Sequence, residues 1–226
     1  MVSIRKEGAY PIIGLTLAAT LLTIVSALYP AGPLKYAVLV NWVLALLVIN
    51  FFRDPDRNVP LDSRSVIAPA DGKIIDITTL SEQSYLRGDV TRVSIFMSVF
   101  DVHVNRAPLE GFIDFVEYRK GGFAAAYRED ASSGNEQLLL GFRNVFSNGG
   151  GEQELKIMIK LVAGYLARRI LLWKNLRDPV RQGERISMIK FGSRVEVYLP
   201  AEWEVVVEKG QRVRAGETVV GRLRRG

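Results

Sequence analysis

The sequence predicts an α+β protein that is mostly β, with a barrel-like or sandwich-like β domain preceded by an amino-terminal hydrophobic helical hairpin. Two long apolar runs without a charged residue open the chain. From residue 65 onward, short segments alternate apolar and polar residues, as half-buried antiparallel strands do. With 226 residues, the chain is long enough for one substantial core and a smaller appendage.

The two apolar runs cover residues 11–28 and 36–52. Each is close to the minimum length for a helix that spans a bilayer. The intervening residues 29–33, YPAGP, are typical of a turn. A buried hairpin in a soluble core is less favoured because neither run has a polar face. A shallow, re-entrant hairpin remains an alternative to one that spans the bilayer.

The cations around these runs predict an orientation. Two precede the first run, two follow the second and one lies between them: Arg5, Lys6, Arg53, Arg57 and Lys35. Cationic flanks favour the cytoplasmic side of a membrane. We therefore expect residues 1–52 to associate with the cell membrane and residues 53–226 to form a β-rich domain on its cytoplasmic side.

Nine segments of the second region are predicted strands. They cover residues 66–77, 92–98, 112–119, 137–145, 155–162, 186–191, 194–199, 204–208 and 218–223. Residues 122–129 and part of 162–173 are the candidate helices. No phosphate-binding glycine pattern stands between a strand and a helix.

Composition excludes several classes of site. The chain has no cysteine and one histidine, His103, which removes disulfides, cysteine nucleophiles and multi-histidine zinc sites, so no metal site is predicted. The net charge of +6 is concentrated in residues 162–190, with +5, and residues 208–226, with +4. Basic surface suits nucleic acid or anionic lipid, and the apolar runs favour lipid, so no nucleic-acid partner is expected.

The Gly192–Ser193 bond is the strongest candidate for chemistry. A serine hydroxyl can attack the carbonyl of its own preceding peptide bond, given a base and donors for the oxyanion. Glycine tolerates the strained backbone that exposes such a carbonyl. Most Gly-Ser pairs are ordinary turns, so this pair gains weight only from its surroundings.

Six segments in order resemble the phosphatidylserine decarboxylase family in its short bacterial and archaeal form. They are FFRDPDR at 51–57, APADG at 68–72, FMSVFDVHVNRAP at 96–108, SGNE at 133–136, AGYLARRI at 163–170 and MIKFGSR at 188–194.

The resemblance implies a proenzyme that cleaves itself between Gly192 and Ser193. The products would be a β chain of residues 1–192 and an α chain of residues 193–226, held together as a heterodimer, with further oligomerisation left open. Ser193 would become a covalent pyruvoyl group, the cofactor. The implied reaction converts phosphatidylserine, or archaetidylserine, to the ethanolamine phospholipid.

Two further residues are catalytic candidates. His103 lies in the longest of the six segments, and histidine is the side-chain type that ordinarily titrates near neutrality. Alternation in a strand would place Asp101 and His103 on one face. Asp71 could orient His103 or accept a proton itself, completing an Asp-His-Ser arrangement. Arg106 stands where many relatives carry a second histidine.

Four residues are candidates for substrate binding. Asn135 and Glu136 match the family's Asn-Glu pair, and Arg168 and Arg169 could reach a lipid phosphate.

Two other functions compete with this interpretation. Residues 69–77 and 207–221 resemble the halves of a lipoyl or biotinyl carrier, but no lysine stands beside a methionine, as carrier hairpins typically require. We take that similarity as architectural. A peptidase could use the same Asp-His-Ser set, but the chain has no nucleophile-elbow motif.

Overall fold

The computed structural model describes residues 2–29, 32–60, 62–122, 124, 126, 131–147, 152–164, 169–190 and 192–224. The chain divides into two compact units, Met1–Asp56 and Arg57–Gly226.

The first unit is a helical hairpin. Helix α1 covers Ala9–Leu28 and helix α2 covers Gly32–Phe51. Ala19 and Ala45 are fully buried, and the indole of Trp42 donates a hydrogen bond to Thr23 Oγ1 at 3.2 Å. Strand β1, Val2–Ile4, pairs antiparallel with β2, Arg53–Pro55.

Both helices are apolar on all sides and mostly exposed within this unit. By length and composition, Lys6–Leu28 and Gly32–Phe51 are suited to cross a membrane. The predicted hydrophobic hairpin is confirmed, and its second helix begins earlier than residue 36, at Gly32.

The second unit is mostly β. Its strands are β3 Ser65–Ile67, β4 Gly72–Glu82, β5 Gly88–Met97, β6 Val104–Arg106, β7 Gly111–Arg119, β8 Gln137–Ser147, β9 Glu152–Ala163, β10 Ile170–Leu172, β11 Pro179–Val180, β12 Arg185–Ile189, β13 Ser193–Pro200, β14 Trp203–Val205, β15 Arg212–Val213 and β16 Val219–Leu223. One short helix, α3, covers Ala131–Gly134. The predicted α+β, mostly β class is confirmed.

Eight strands form one antiparallel sheet that curls into a half-barrel, in the order β11-β7-β8-β9-β13-β5-β4-β15. Two three-stranded sheets, β10-β12-β6 and β14-β16-β3, accompany it. One face of the large sheet carries the hydrophobic core, for example Ile95, Ile159, Val195 and Val197, all fully buried. Strand β13 therefore lies at the centre of the sheet, between β9 and β5.

One sequence prediction about these elements is wrong. Residues 66–77 form two strands rather than one, because the chain turns at 68–71, where Pro69 lacks an N–H for a ladder and Asp71 binds elsewhere through its side chain. The candidate helix within 162–173 falls partly on residues 165–168, which lie outside the described residues, and on either side β9 ends at Ala163 and β10 covers Ile170–Leu172. Most of the predicted helix at 122–129 lies outside the described residues.

The two carrier-like segments pair with each other. Arg212 and Val213 of β15 face Lys73 and Gly72 of β4, and β16 pairs with β3. The carboxy-terminal segment thus closes the edge of the sheet beside residues 68–72.

Candidate active site

Ser193 is the first residue of β13 and is fully buried. Its side chain lies on the core face, in register with Met97 of β5 and Ala163 of β9. The hydroxyl donates to the Met97 sulfur at 3.2 Å, and a thioether is a weak acceptor. The Ser193 hydroxyl is therefore held only weakly, in largely apolar surroundings.

Gly192 leaves the strand geometry just before Ser193. Its φ of +61° lies in the left-handed region that favours glycine. Its N–H donates to Nε2 of His103 at 3.3 Å. The structure thus brings His103 to the peptide segment that the sequence identified, although Phe191 lies outside the described residues.

His103 is fully buried and lies in the connection between β5 and β6. The prediction that Asp101 and His103 share a strand face is wrong, because residues 98–103 form a turn and a loop. Nδ1 of His103 lies 2.9 Å from the carbonyl oxygen of Asp101, which can only accept. The proton is therefore on Nδ1, and the lone pair of Nε2 faces Gly192.

The Asp101 carboxylate holds this loop in place, a role that the sequence analysis missed. It accepts hydrogen bonds from the N–H and Oγ of Ser98, at 2.8 and 2.7 Å, and from Arg212 at 2.7 Å. Partial burial acts to raise the pKa of Asp101, but the bonds from Arg212 and Ser98 outweigh it, so this pKa lies below the ordinary value. In the sequence, the only signal for this role of Asp101 is its position three residues after Ser98, a spacing that is common in turns.

Asp71 lies in the turn between β3 and β4. Its two carboxylate oxygens contact one guanidinium nitrogen of Arg57 at 2.9 and 2.8 Å, and Oδ1 accepts the Ala215 N–H at 2.7 Å. The His103 nitrogen that a triad aspartate would contact binds the Asp101 carbonyl instead. Asp71 therefore joins the segments around Arg57 and Ala215, and its catalytic role stays a prediction.

Asn135 is almost fully buried, next to α3. Its amide nitrogen donates to the carbonyls of Ala124 and Ala163, at 2.8 and 2.7 Å, and its oxygen accepts the Ala124 N–H at 2.8 Å. Both donor hydrogens are used, which argues against direct substrate contact in this arrangement. Half-buried Glu136 accepts the Ala163 N–H through its backbone carbonyl at 2.9 Å.

The three arginines that the sequence singled out differ in their surroundings. Arg168 lies outside the described residues, and Arg169 is exposed. Arg106 is buried at the end of β6, where its guanidinium donates to the Gly183 carbonyl at 3.0 Å. Arg106 thus binds the backbone of a neighbouring loop.

The opposite face of β13 carries a buried charge cluster formed by Lys160, Arg194, Glu196 and Tyr198. Glu196 is completely buried, with Lys160 Nζ at 2.8 Å, Arg194 Nε at 2.9 Å and the Tyr198 hydroxyl at 2.6 Å. Lys160 also donates to the carbonyl and hydroxyl of Ser132 in α3, at 3.0 and 2.7 Å. The sequence predicted that residues 194–199 are only half-buried, which is wrong because both faces of β13 are covered.

Burial acts to raise the pKa of the Glu196 carboxyl, yet its net pKa lies below the ordinary value. The charges of Lys160 and Arg194 and the hydrogen bonds from Lys160 and Tyr198 outweigh the burial. Burial and the neighbouring Glu196 raise the pKa of Tyr198. Glu196 is therefore ionised at neutral pH and ties β13 to β9 immediately after Ser193.

Comparisons with known proteins identify the family of the chain. A model of the phosphatidylserine decarboxylase family matches residues 44–221. The phosphatidylserine decarboxylase proenzyme of Carboxydothermus hydrogenoformans is 43% identical, over 82% of this chain and 84% of its own. Those of Symbiobacterium thermophilum and Desulfotalea psychrophila are 38% and 40% identical, over 97% and 98% of this chain and 95% and 97% of their own.

The fold and the coverage of these relatives thus make the chain an enzyme of the carboxy-lyase class. The chain belongs to the phosphatidylserine decarboxylase family. This assignment decides against both the carrier module and the peptidase.

Proposed function

We propose that this chain is the proenzyme of a pyruvoyl-dependent phosphatidylserine decarboxylase that cleaves itself between Gly192 and Ser193. The observation that carries the proposal is the contact of His103 Nε2 with the Gly192 N–H, beside a buried serine at a left-handed glycine. The family membership and the proenzyme names of the relatives support it.

In the first step of self-cleavage, Ser193 Oγ attacks the Gly192 carbonyl carbon and gives up its proton. Nε2 of His103 is the base, because its lone pair faces this segment and Nδ1 already carries a proton. The Ser193 hydroxyl reaches the carbonyl by rotating away from the Met97 sulfur, which holds it weakly. The C–N bond breaks, the nitrogen takes up a proton, and an ester links Gly192 to Ser193.

In the second step, loss of the Ser193 α-proton expels the Gly192 carboxylate. The dehydroalanine left at residue 193 takes up water and releases ammonia, which leaves a pyruvoyl group at the start of the α chain. The apolar neighbours Met97 and Ala163 fit this group, because it carries no amine to solvate. When formed, the pyruvoyl ketone supplies the electrophile for the substrate amine and the electron sink for decarboxylation.

The α chain stays bound after cleavage, because its first strand is the centre of the sheet. Strand β13 is hydrogen-bonded to β5 and β9, and β16 to β3. All three partner strands belong to the β chain. The two fragments therefore copurify as a heterodimer and separate only in denaturant.

The substrate is phosphatidylserine, or archaetidylserine in an archaeal setting, because the chemistry at residue 193 requires only the serine head group. Exposed Arg169, with Arg168 beside it in sequence, is available to the lipid phosphate. The hairpin of α1 and α2 anchors the enzyme in the cell membrane. The cations flanking the hairpin favour the cytoplasmic side for the catalytic unit.

The test is the mass of the purified, detergent-solubilised protein. We expect two fragments that separate between Gly192 and Ser193, with the smaller one blocked to Edman degradation. Ser193→Ala should remain a single chain without activity. A single full-length chain in an active preparation would refute self-cleavage.

The reaction is tested separately from the cleavage. Mature protein given phosphatidylserine should yield the ethanolamine lipid and carbon dioxide without added pyridoxal phosphate. Reduction with cyanoborohydride during turnover should attach the substrate amine to the 34-residue α chain, residues 193–226. An adduct on a lysine, or turnover that depends on pyridoxal phosphate, contradicts the proposal.

A further inference from the structure

Gly164 lies against the peptide bond that the proposed function cuts. A Cβ built on Gly164 would stand 2.2 Å from the Gly192 carbonyl oxygen and 3.0 Å from its carbon. Contacts of a real Cβ below 3.0 Å essentially do not occur. A glycine at 164 is therefore needed for space, since its φ is outside the left-handed region.

Gly192, in contrast, needs to be glycine because of its backbone conformation and not because of space. A Cβ at Gly192 would meet no atom within 4 Å, but its φ of +61° is one that other residues rarely adopt. The two glycines would form the next pair of the ladder after Ala163 and Ser193. One supplies the backbone conformation at the cleavage site, and the other supplies the room for it.

The end of β9, which immediately precedes Gly164, has little freedom to retreat. The Ala163 N–H binds the Glu136 carbonyl at 2.9 Å, and the Ala163 carbonyl accepts from Asn135 at 2.7 Å. Asn135 is itself bound at three points, as described above. A side chain at 164 would therefore displace the Gly192 carbonyl rather than the end of β9.

We propose that Gly164 is a positioning residue for self-cleavage. The absence of its side chain lets the Gly192 carbonyl lie against the end of β9, which holds the carbonyl carbon in reach of Ser193 Oγ. This inference rests on the proposed function. It assigns Gly164 to the step in which the Oγ–C bond forms and the C–N bond breaks, before any elimination.

The test variant is Gly164→Ala in the full chain. The Gly192 oxygen would have to move by about 0.8 Å to restore a 3.0 Å contact. Because misplacement by about 1 Å can cost about 100-fold in rate, we expect cleavage after synthesis to slow by about that factor. Gly88→Ala is the matched control, since its φ is not left-handed and its nearest atom is 4.0 Å away. It should cleave within about twofold of wild type.

Hydroxylamine identifies the step that is blocked, because it cuts esters readily and cuts peptide bonds only at Asn-Gly pairs, which in this chain means Asn148–Gly149. Uncut Gly164→Ala should therefore yield no hydroxylamine fragment that begins at residue 193. The α chain that does form should decarboxylate substrate at the wild-type rate per molecule, because Gly192 is then no longer joined to residue 193. A hydroxylamine-sensitive ester, or a reduced rate per α chain, would overturn the assignment.

A second variant separates positioning from simple crowding. The Cβ of Ala126 would lie 3.1 Å from the new Cβ at 164. Ala126→Gly added to Gly164→Ala removes this contact and leaves the clash with the carbonyl, so cleavage should stay slow. Rescue by Ala126→Gly would overturn the proposal, as would cleavage of Gly164→Ala within threefold of wild type.

Folding is checked in uncut protein, by comparing thermal unfolding of Ser193→Ala with and without Gly164→Ala. The apparent Tm values of the two proteins should agree within a few degrees. A much lower apparent Tm with Gly164→Ala would show that Gly164 is needed for folding and not for positioning. If wild-type protein is itself not cut at 192–193, the proposed function fails. If wild type is cut and Gly164→Ala is cut equally fast, only this inference fails.

Discussion

Replacing Glu196 by glutamine removes a negative charge from the buried cluster and leaves Lys160 and Arg194 facing each other without it. Glu196 is completely buried and Arg194 is 2% exposed, so solvent cannot compensate for the loss. Removal of one partner from a buried ion pair typically costs about 3–5 kcal/mol. For a chain of this size, 3 kcal/mol corresponds to about 6–12 °C in apparent Tm.

The assay is thermal unfolding in detergent at pH 7, in a Ser193→Ala background that keeps every sample as one chain. Lys160→Met combined with Glu196→Gln should recover part of the loss, because one of the two cations that faced the Glu196 carboxylate is then gone. Lys156→Met is a control, since Lys156 is on the same strand but partly exposed, and its ion pair is with exposed Glu154. It should change the apparent Tm by no more than a few degrees.

The pH dependence follows from the lowered pKa of Glu196. A carboxyl whose pKa is lower in the folded than in the unfolded state contributes stability above its unfolded value, near 4.5, and loses it as pH falls through the folded value. The gap in apparent Tm between wild type and Glu196→Gln should therefore be full at pH 7 and narrow below pH 4.5. Two results would refute this account of how β13 is held: a difference in apparent Tm between wild type and Glu196→Gln below about 2 °C at pH 7, or a difference that does not change with pH.

Three further predictions concern the site and the hairpin. His103→Ala should slow cleavage by about 10²–10⁴-fold, measured by fragment appearance, whereas Arg106→Ala should stay within about tenfold; equal effects would remove His103 as the base. Asp71→Asn weakens the contact with Arg57 and should lower the free energy of unfolding by about 1–3 kcal/mol, measured by thermal unfolding. It should slow cleavage less than His103→Ala does. A cleavage defect at unchanged stability would instead support a catalytic role for Asp71. Deletion of residues 1–56 should release the protein from sedimented membranes while it still cleaves itself, and a truncated form that pellets equally well would show that the hairpin is not the anchor.

The sequence by itself determined the fold class and the order of the two regions, a helical hairpin followed by a β-rich domain. Uncharged runs of bilayer length must form helices that bury their backbone groups, so the hairpin could be predicted from composition. Alternation of apolar and polar residues predicted most strands, because side chains alternate across a sheet. The motifs shared with the family also singled out Gly192, Ser193 and His103, whereas a Gly-Ser pair alone is typical of an ordinary turn.

Only the tertiary structure decided which groups meet. Nε2 of His103 accepts the Gly192 N–H and Asp71 accepts the Ala215 N–H, contacts between chain segments 89 and 144 residues apart. Alternation also misjudged β13, because a strand at the centre of the sheet is covered on both faces and its polar residues must pair with one another. The need for glycine at 164 is likewise invisible in the sequence, since it arises from the carbonyl of a residue 28 positions away that the sheet brings into contact.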